Sequence, residues 1–145
     1  MTSKPANGLN IQDHRQLASW AADCAKRVLP YFEDLYPDDD RPHKAIEAAR
    51  AWARGDLRMT DARQAAFASH AAARDADNAA ARLAARAAGH AAATAHVASH
   101  APHAAAYAVK AVAAIEDTGR ALAENDWQLQ HLPKHLRSFA LPDWN

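Results

Sequence analysis

The sequence predicts an all-α fold, a single-domain, alanine-rich helical bundle of about five to seven helices. Three observations carry this. No stretch alternates apolar and polar residues with the period of two that a half-buried strand requires. More than half of the residues from Ala62 to Ala114 are alanine, the best helix former because it has no side-chain entropy to lose, and one whose single methyl lets helix backbones approach closely. The larger apolar and the polar residues recur at intervals of three and four, the spacing of a helix face. At 145 residues the chain has the size of one domain, and it can bury enough surface to fold without a disulfide or a metal. We divide it into a flexible N-terminus, residues 1–10, and a single helical domain, residues 11–145.

The elements follow from caps and breakers. Asp13 and Gln16 have capping-box spacing, with Ile11 before them, so a first helix begins near Asp13. Its apolar stripe is Leu17, Trp20, Ala21, Cys24 and Val28. Pro30 kinks or ends it, and Tyr31, Phe32, Leu35 and Tyr36 form a further turn before a loop from Pro37 to Asp40. Asp40 caps a second helix with Pro42 in its first turn, Ile46, Ala49 and Trp52 or Ala53 facing inward, and Gly55 ending it. Thr60 caps a third helix from Asp61 to about Ala76, and Asp77 or Asn78 marks the next break. A fourth helix runs from about Ala79 to Val97. Ser99 caps a fifth, in which Pro102 falls in the first turn, where a proline does no harm. That helix continues to about Glu124, with Gly119 as its weak point. The segment from Trp127 to Asn145, with Leu129, Leu132, Leu136, Phe139, Leu141 and Trp144, wraps the bundle and turns at Pro133 and Pro142. Ala87, Gly89 and Ala91 to Ala93 are expected where helices come closest.

Bulk composition excludes several classes of function. The formal charge is balanced, with 17 basic and 17 acidic residues, so no global field draws the chain to nucleic acid or anionic lipid. Residues 1–10 hold no apolar run of the kind found in a signal peptide, and the alanine tracts are broken by Arg82, Arg86, His90, His96 and His100, which excludes a membrane span. The one cysteine, Cys24, allows no intramolecular disulfide and fits a cytoplasmic setting. It lies on the apolar stripe of the first helix and reads as a small buried hydrophobe. Ser69 and Ser99 lack the strand–turn–helix setting of a hydrolase nucleophile, and the chain's four glycines form no phosphate loop. No cofactor is expected.

Polar residues fall on three stripes. On the third helix, Phe67, His70, Arg74 and Asp77 share a face, where Asp77 would draw Arg74 into a pair. On the fourth, Leu83, Ala87, His90, Thr94 and Val97 form a core stripe that makes His90 a hydrogen-bonded core histidine, pointing about 120° away from His96. On an unbroken helix His96, His100, His103, Tyr107 and Lys110 would share one face. Two histidines four apart can bind zinc, but Val97 stands where a zinc protease has its glutamate, and no acid completes a ligand set, so no metal is expected. The candidates for a polar network or ligand pocket are His70, Arg74, His96, His100, Tyr107 and Lys110.

In their order along the chain, these segments resemble a bacterial immunity protein family of toxin–immunity systems. The resemblance is carried by Leu17 to Ala25 (LASWAADCA), by Asp40-Arg41-Pro42 leading to Ala45-Ile46-Glu47 and Ala51-Trp52, and by Ser69-His70 through Arg74. It continues with Ala93-Thr94-Ala95-His96-Val97, His100, Tyr107-Ala108-Val109-Lys110, Trp127-Gln128, Leu132-Pro133 and His135-Leu136-Arg137. It covers roughly Leu9 to Arg137. Pro102 and His103 depart from its pattern, so His103 is not carried over as a shared residue. The resemblance implies a cytoplasmic protein that binds and neutralises a cognate toxin; from the balanced charge and broken apolar tracts neither nucleic acid nor membrane is expected as partner, and a homo-oligomer is allowed. Asp38 and Asp39, in an acidic run with Asp40, are the candidates for contact, because an acidic loop would steer association with a basic toxin. The alternative is a small-ligand-binding protein or enzyme using a His/Arg/Tyr pocket; a deep pocket would favour it, and a shallow face would favour binding of a protein.

Overall fold

The computed structural model describes residues 9–116 and 118–140, and every regular element among them is helical. In chain order these are α1 (Ile11–Val28), α2 (Pro30–Glu33), α3 (Arg41–Ala53), α4 (Met59–Asp75), α5 (Ala79–Ala93), α6 (His100–Ile115), α7 (Thr118–Gln130), a 3-10 turn (Lys134–Leu136) and α8 (Arg137–Ala140). Six helices are long, within the expected five to seven, and α2 and α8 are single turns of four residues. Most of the stretch expected to be flexible, residues 1–8, lies outside the described residues, as do Leu141, Pro142 and Trp144.

Local chemistry sets the boundaries. α1 is capped by Asn10 rather than Asp13: the Asn10 side-chain oxygen accepts the Asp13 backbone N–H at 2.8 Å, so Asp13 receives the cap. Leu9, just before it, is buried. α1 closes before Pro30, which opens α2. Asp40 stands at the N-cap of α3 but makes no capping bond. Asp39 does that work, its Oδ1 accepting the Arg41 backbone N–H at 3.1 Å, while Asp40 pairs with Lys44. Gly55, at φ +84°, follows α3 as a stop that an L side chain would strain. α4 begins at Met59 behind Arg58, which puts Thr60 inside the first turn and not at the cap. Asn78 caps α5, accepting the Ala81 N–H at 3.0 Å.

α5 is the central helix. It packs against α1, α2, α3, α4 and α6, and its buried residues, Ala80, Ala81, Ala84, Ala85, Ala87, Ala88, Gly89, Ala91 and Ala92, run around most of its circumference. Only small side chains allow so many neighbours at close helix–helix spacing. Of the residues expected at closest approach, Ala93 alone is only partly buried.

α5 ends at Ala93 instead of continuing to Val97, and the cause is Thr94. Its hydroxyl donates to the His90 carbonyl at 2.9 Å, and its own carbonyl accepts the ring N–H of His14 on α1. That carbonyl takes the His14 ring and no backbone N–H of a following turn. The chain then turns through residues 94–99 before α6 starts at His100. α6 stops at Ile115, short of the expected Glu124, and Gly119 lies in the first turn of the separate helix α7. Polar ties hold α7 to the bundle. The Trp20 indole donates to the Gln128 carbonyl at 2.8 Å and the Gln128 side chain donates to the Ala105 carbonyl at 2.9 Å. Arg27 grips Glu124 through two bonds of 2.6 and 3.0 Å and lies 3.9 Å from the centre of the Trp127 ring. Leu132, Leu136 and Ala140 are buried beyond it, so the C-terminal segment wraps the bundle as far as it is described.

Candidate functional site

Three neighbouring helices place a histidine cluster on one side of the molecule. α4 supplies His70, α5 supplies His90, and α6 supplies His100, His103 and Tyr107. His90 is at the centre. Its ring centroid lies 4.9 Å from that of His70 in an edge-on contact, 5.2 Å from His100, 5.4 Å from His103, and 5.1 Å from Tyr107, on which it stacks at 11°. The Nδ1 atoms of His90 and His100 are 3.0 Å apart. Two imidazoles in that contact share one proton: one Nδ1–H donates and the other nitrogen accepts with its lone pair. A second proton on the acceptor would set N–H against N–H.

Gly89 allows His70 to reach this cluster. The His70 ring lies across the α5 backbone at Gly89, where a methyl group would fall 2.6 Å from Cε1 and 2.8 Å from both ring nitrogens. The Nδ1 of His70 is buried and has no hydrogen-bond partner among the described residues.

The electrostatics favour neutral rings. Burial, followed by the charge of Arg86 and the presence of His100 and Arg74, lowers His70 to about 4. Burial is again first for His90, with His70, His100, His103 and Arg86 adding to it, and lowers that ring to about 3. His100 is lowered by burial and by its neighbours His103 and His96. Loss of hydration disfavours an imidazolium, and adjacent cations do the same.

The structure therefore brings together His70, Arg74, His100, Tyr107 and Lys110 of the expected set. His96 is displaced from it. The turn at residues 94–99 takes His96 off the α6 register and leaves it exposed, so the five-residue stripe exists only from His100 onward. His90, read as a hydrogen-bonded core histidine, is the half-buried hub of the cluster; His103, on the expected stripe but not among the candidates, is a member, and Arg86 is one that sequence reasoning left out. Arg74 has no ion pair with a described carboxylate. Asp77 lies beyond the end of α4, where its backbone N–H donates to the Tyr36 hydroxyl at 2.9 Å. Lys110 lies 5.2 Å from the centre of the Tyr107 ring.

The acidic loop is more committed than its sequence suggests. Besides its capping bond, Asp39 takes two side-chain bonds from Arg41, at 2.9 and 2.7 Å, and these hold its carboxyl below the usual range. Asp38 is exposed. With Leu35, Tyr36, Pro37, Asp39 and Arg41 it lines a surface groove of about 510 Å³.

Neither Cys24 nor the Ser69 hydroxyl is free to serve the cluster. Cys24 is fully buried in α1, and burial together with neighbouring Asp23 raises its thiol well above the ordinary value. The Ser69 hydroxyl donates to the Ala85 carbonyl at 2.8 Å, tying α4 to α5. Among the described residues, no three His, Cys, Asp or Glu side chains are placed to hold a metal ion, and no helix is long and apolar enough to cross a membrane. Four surface pockets among the described residues, of about 330, 370, 250 and 510 Å³, are lined by other residues and include no histidine.

A family model described as Imm-5 like putative immunity protein matches residues 7–135. No curated protein matches the chain, and no solved structure does.

Proposed function

The chain belongs to the Imm-5 like putative immunity protein family, and from that premise we propose that it binds a cognate toxin and neutralises it by covering the toxin's working surface. The observation that carries this is the extent of the family match, which runs from before α1 to within the 3-10 turn. Two features support binding over chemistry. The polar cluster is a half-buried face that neither the buried Cys24 nor the bonded Ser69 hydroxyl is free to serve, and it lines none of the four pockets described above. A single buried thiol suits action in the cytoplasm. The reading as a small-ligand protein or enzyme draws on one observation, the unpartnered Nδ1 of His70.

We assign a first contact to the α2–α3 loop. Leu35, 53% exposed, gives an apolar anchor beside the groove, and exposed Asp38 gives a charge that would steer a basic partner. Co-expression with the toxin encoded beside its gene, together with pull-down of that toxin, tests the function directly. The protein should restore growth and co-purify with the toxin; growth arrest despite full expression overturns the reading. Within that assay Asp38→Asn should slow association and weaken its salt dependence while leaving the fold intact. Asp39→Asn keeps an oxygen for the Arg41 backbone N–H but should weaken the ion pair that holds the Arg41 side chain. Equal association rates for Asp38→Asn and the parent would remove the loop from the contact.

A further inference from the structure

We propose that the outward face of α4, α5 and α6 docks an acidic surface of the toxin, so that the immunity complex has a second, oppositely charged contact; this rests on the immunity reading above. The first observation is an imbalance of pairing. Five arginines elsewhere are matched, Arg27 with Glu124, Arg41 with Asp39 and Asp75, Arg50 with Asp23, Arg54 with Asp56 and Arg58 with Asp61, while Arg15 and Arg137 stand singly on α1 and α8. On the three-helix face Arg63, Arg74, Arg86 and Lys110 have no ion pair with any described carboxylate. The acids within these helices, Asp61 and Asp75, are turned to Arg58 and Arg41.

The second observation is the aromatic content of the same face. Phe67 is 58% exposed, with the Arg63 guanidinium 5.4 Å from its ring centre, and Tyr107 is partly exposed with Lys110 over it. Exposed aromatic rings flanked by arginine are the composition of protein–protein contact centres. The third is electrostatic. Arg74 and Arg86 lie close enough to His70 to disfavour its protonation, so the face sets cations beside neutral imidazoles, with no acid of its own helices turned to them. Carboxylates from a partner would pair with these cations.

The rest of the surface selects a protein over a nucleic acid. Arg41 joins Asp39 to Asp75, and Tyr36 joins the α2–α3 loop to Asp77, so the acidic loop and the α4–α5 junction form one acidic edge bordering Arg74. A phosphate backbone crossing the cationic face would meet that edge and be repelled. A protein can present acids to one and bases to the other.

The test uses the purified product of the adjacent toxin gene, in an inactivated form, and measures its affinity for the parent and for an Arg74→Glu/Lys110→Glu double variant. Both positions are exposed, and a thermal melt checks that the variant folds. The expected result is at least tenfold weaker binding by the variant, with a shallower salt dependence than the parent shows. Unchanged affinity overturns the docking face while leaving the immunity reading in place. Failure of the parent itself to bind overturns both. A 20-base-pair DNA duplex serves as the competing probe: if the parent binds it and the double variant does not, the face serves nucleic acid and the proposal is wrong.

Discussion

Lowering the pH from 7 to 5 is expected to destabilise the protein through His90 and His70. The unfolded chain takes up protons on these rings near the ordinary histidine value of about 6.5. The folded protein refuses them until about 4 for His70 and about 3 for His90. Between those limits the unfolded state binds more protons, so stability is complete above about 6.5 and falls as the pH drops toward the folded values. The shared proton between His90 and His100 acts in the same direction, because charging both rings removes their hydrogen bond. Each unit of separation corresponds to about 1.4 kcal/mol. The rings are only half-buried, and allowing for solvent screening leaves a total loss on the order of 2–3 kcal/mol, or roughly 5–10 °C in melting temperature. Urea unfolding at pH 7, 6 and 5 measures it. His90→Phe keeps an aromatic ring without a basic nitrogen and should flatten the slope whatever its effect on absolute stability. A parent whose stability does not change over this range, or a variant with the parent's slope, would contradict the account.

The second large effect is expected at Gly89. In a helix interior Gly→Ala ordinarily gains up to about 1 kcal/mol. Here the added methyl would stand 2.6 Å from the His70 ring, so Gly89→Ala should instead lower stability by about 1–3 kcal/mol, the usual cost of overpacking, and disturb the cluster. The cause is separable. In a His70→Ala background the space is free, and the same Gly89→Ala change should then stabilise by about 0.5–1 kcal/mol. This reversal of sign identifies the ring as the obstacle. A stabilising Gly89→Ala in the parent would show that His70 moves aside at little cost.

Much of the fold was legible because its punctuation is local. Pro30, Gly55 and Asn78 act through their own backbone or side-chain chemistry, and each ends or begins a helix where its type says it should. The errors came where another side chain, distant or adjacent, took over a backbone group. Thr94 ends α5 because its carbonyl is taken by His14, 80 residues earlier, and no window around Thr94 contains that histidine. Asp39 takes the capping role from its neighbour Asp40 because the Asp39 carboxylate reaches both the Arg41 backbone and its guanidinium.

On α4 and α6 helix spacing placed part of each stripe, Asp77 falling beyond the end of α4 and His96 before the start of α6. His70 with Arg74, and His100 with Tyr107 and Lys110, face the same side of the bundle as their spacing implied. The stripe reading failed on α5. A stripe argument assumes one buried face and one wet face, whereas α5 is enclosed on most sides, and alanine at nearly every position gives its hydrophobicity no direction. His90 was therefore assigned to the interior with Ala87 and Thr94, although it opens toward His100 and Tyr107. One signal did point the right way: a glycine in the middle of an alanine helix is costly unless something approaches its backbone, and at Gly89 that something is the His70 ring.

The central claim, that the protein works by binding and performs no chemistry on its target, is tested most directly by stoichiometry. With the toxin held at a concentration far above the dissociation constant, its residual activity is measured against added immunity protein. The account predicts a linear loss that reaches zero at a fixed molar ratio and does not deepen with longer incubation. Complete inactivation by a small fraction of an equivalent, increasing with time, would show turnover and contradict it.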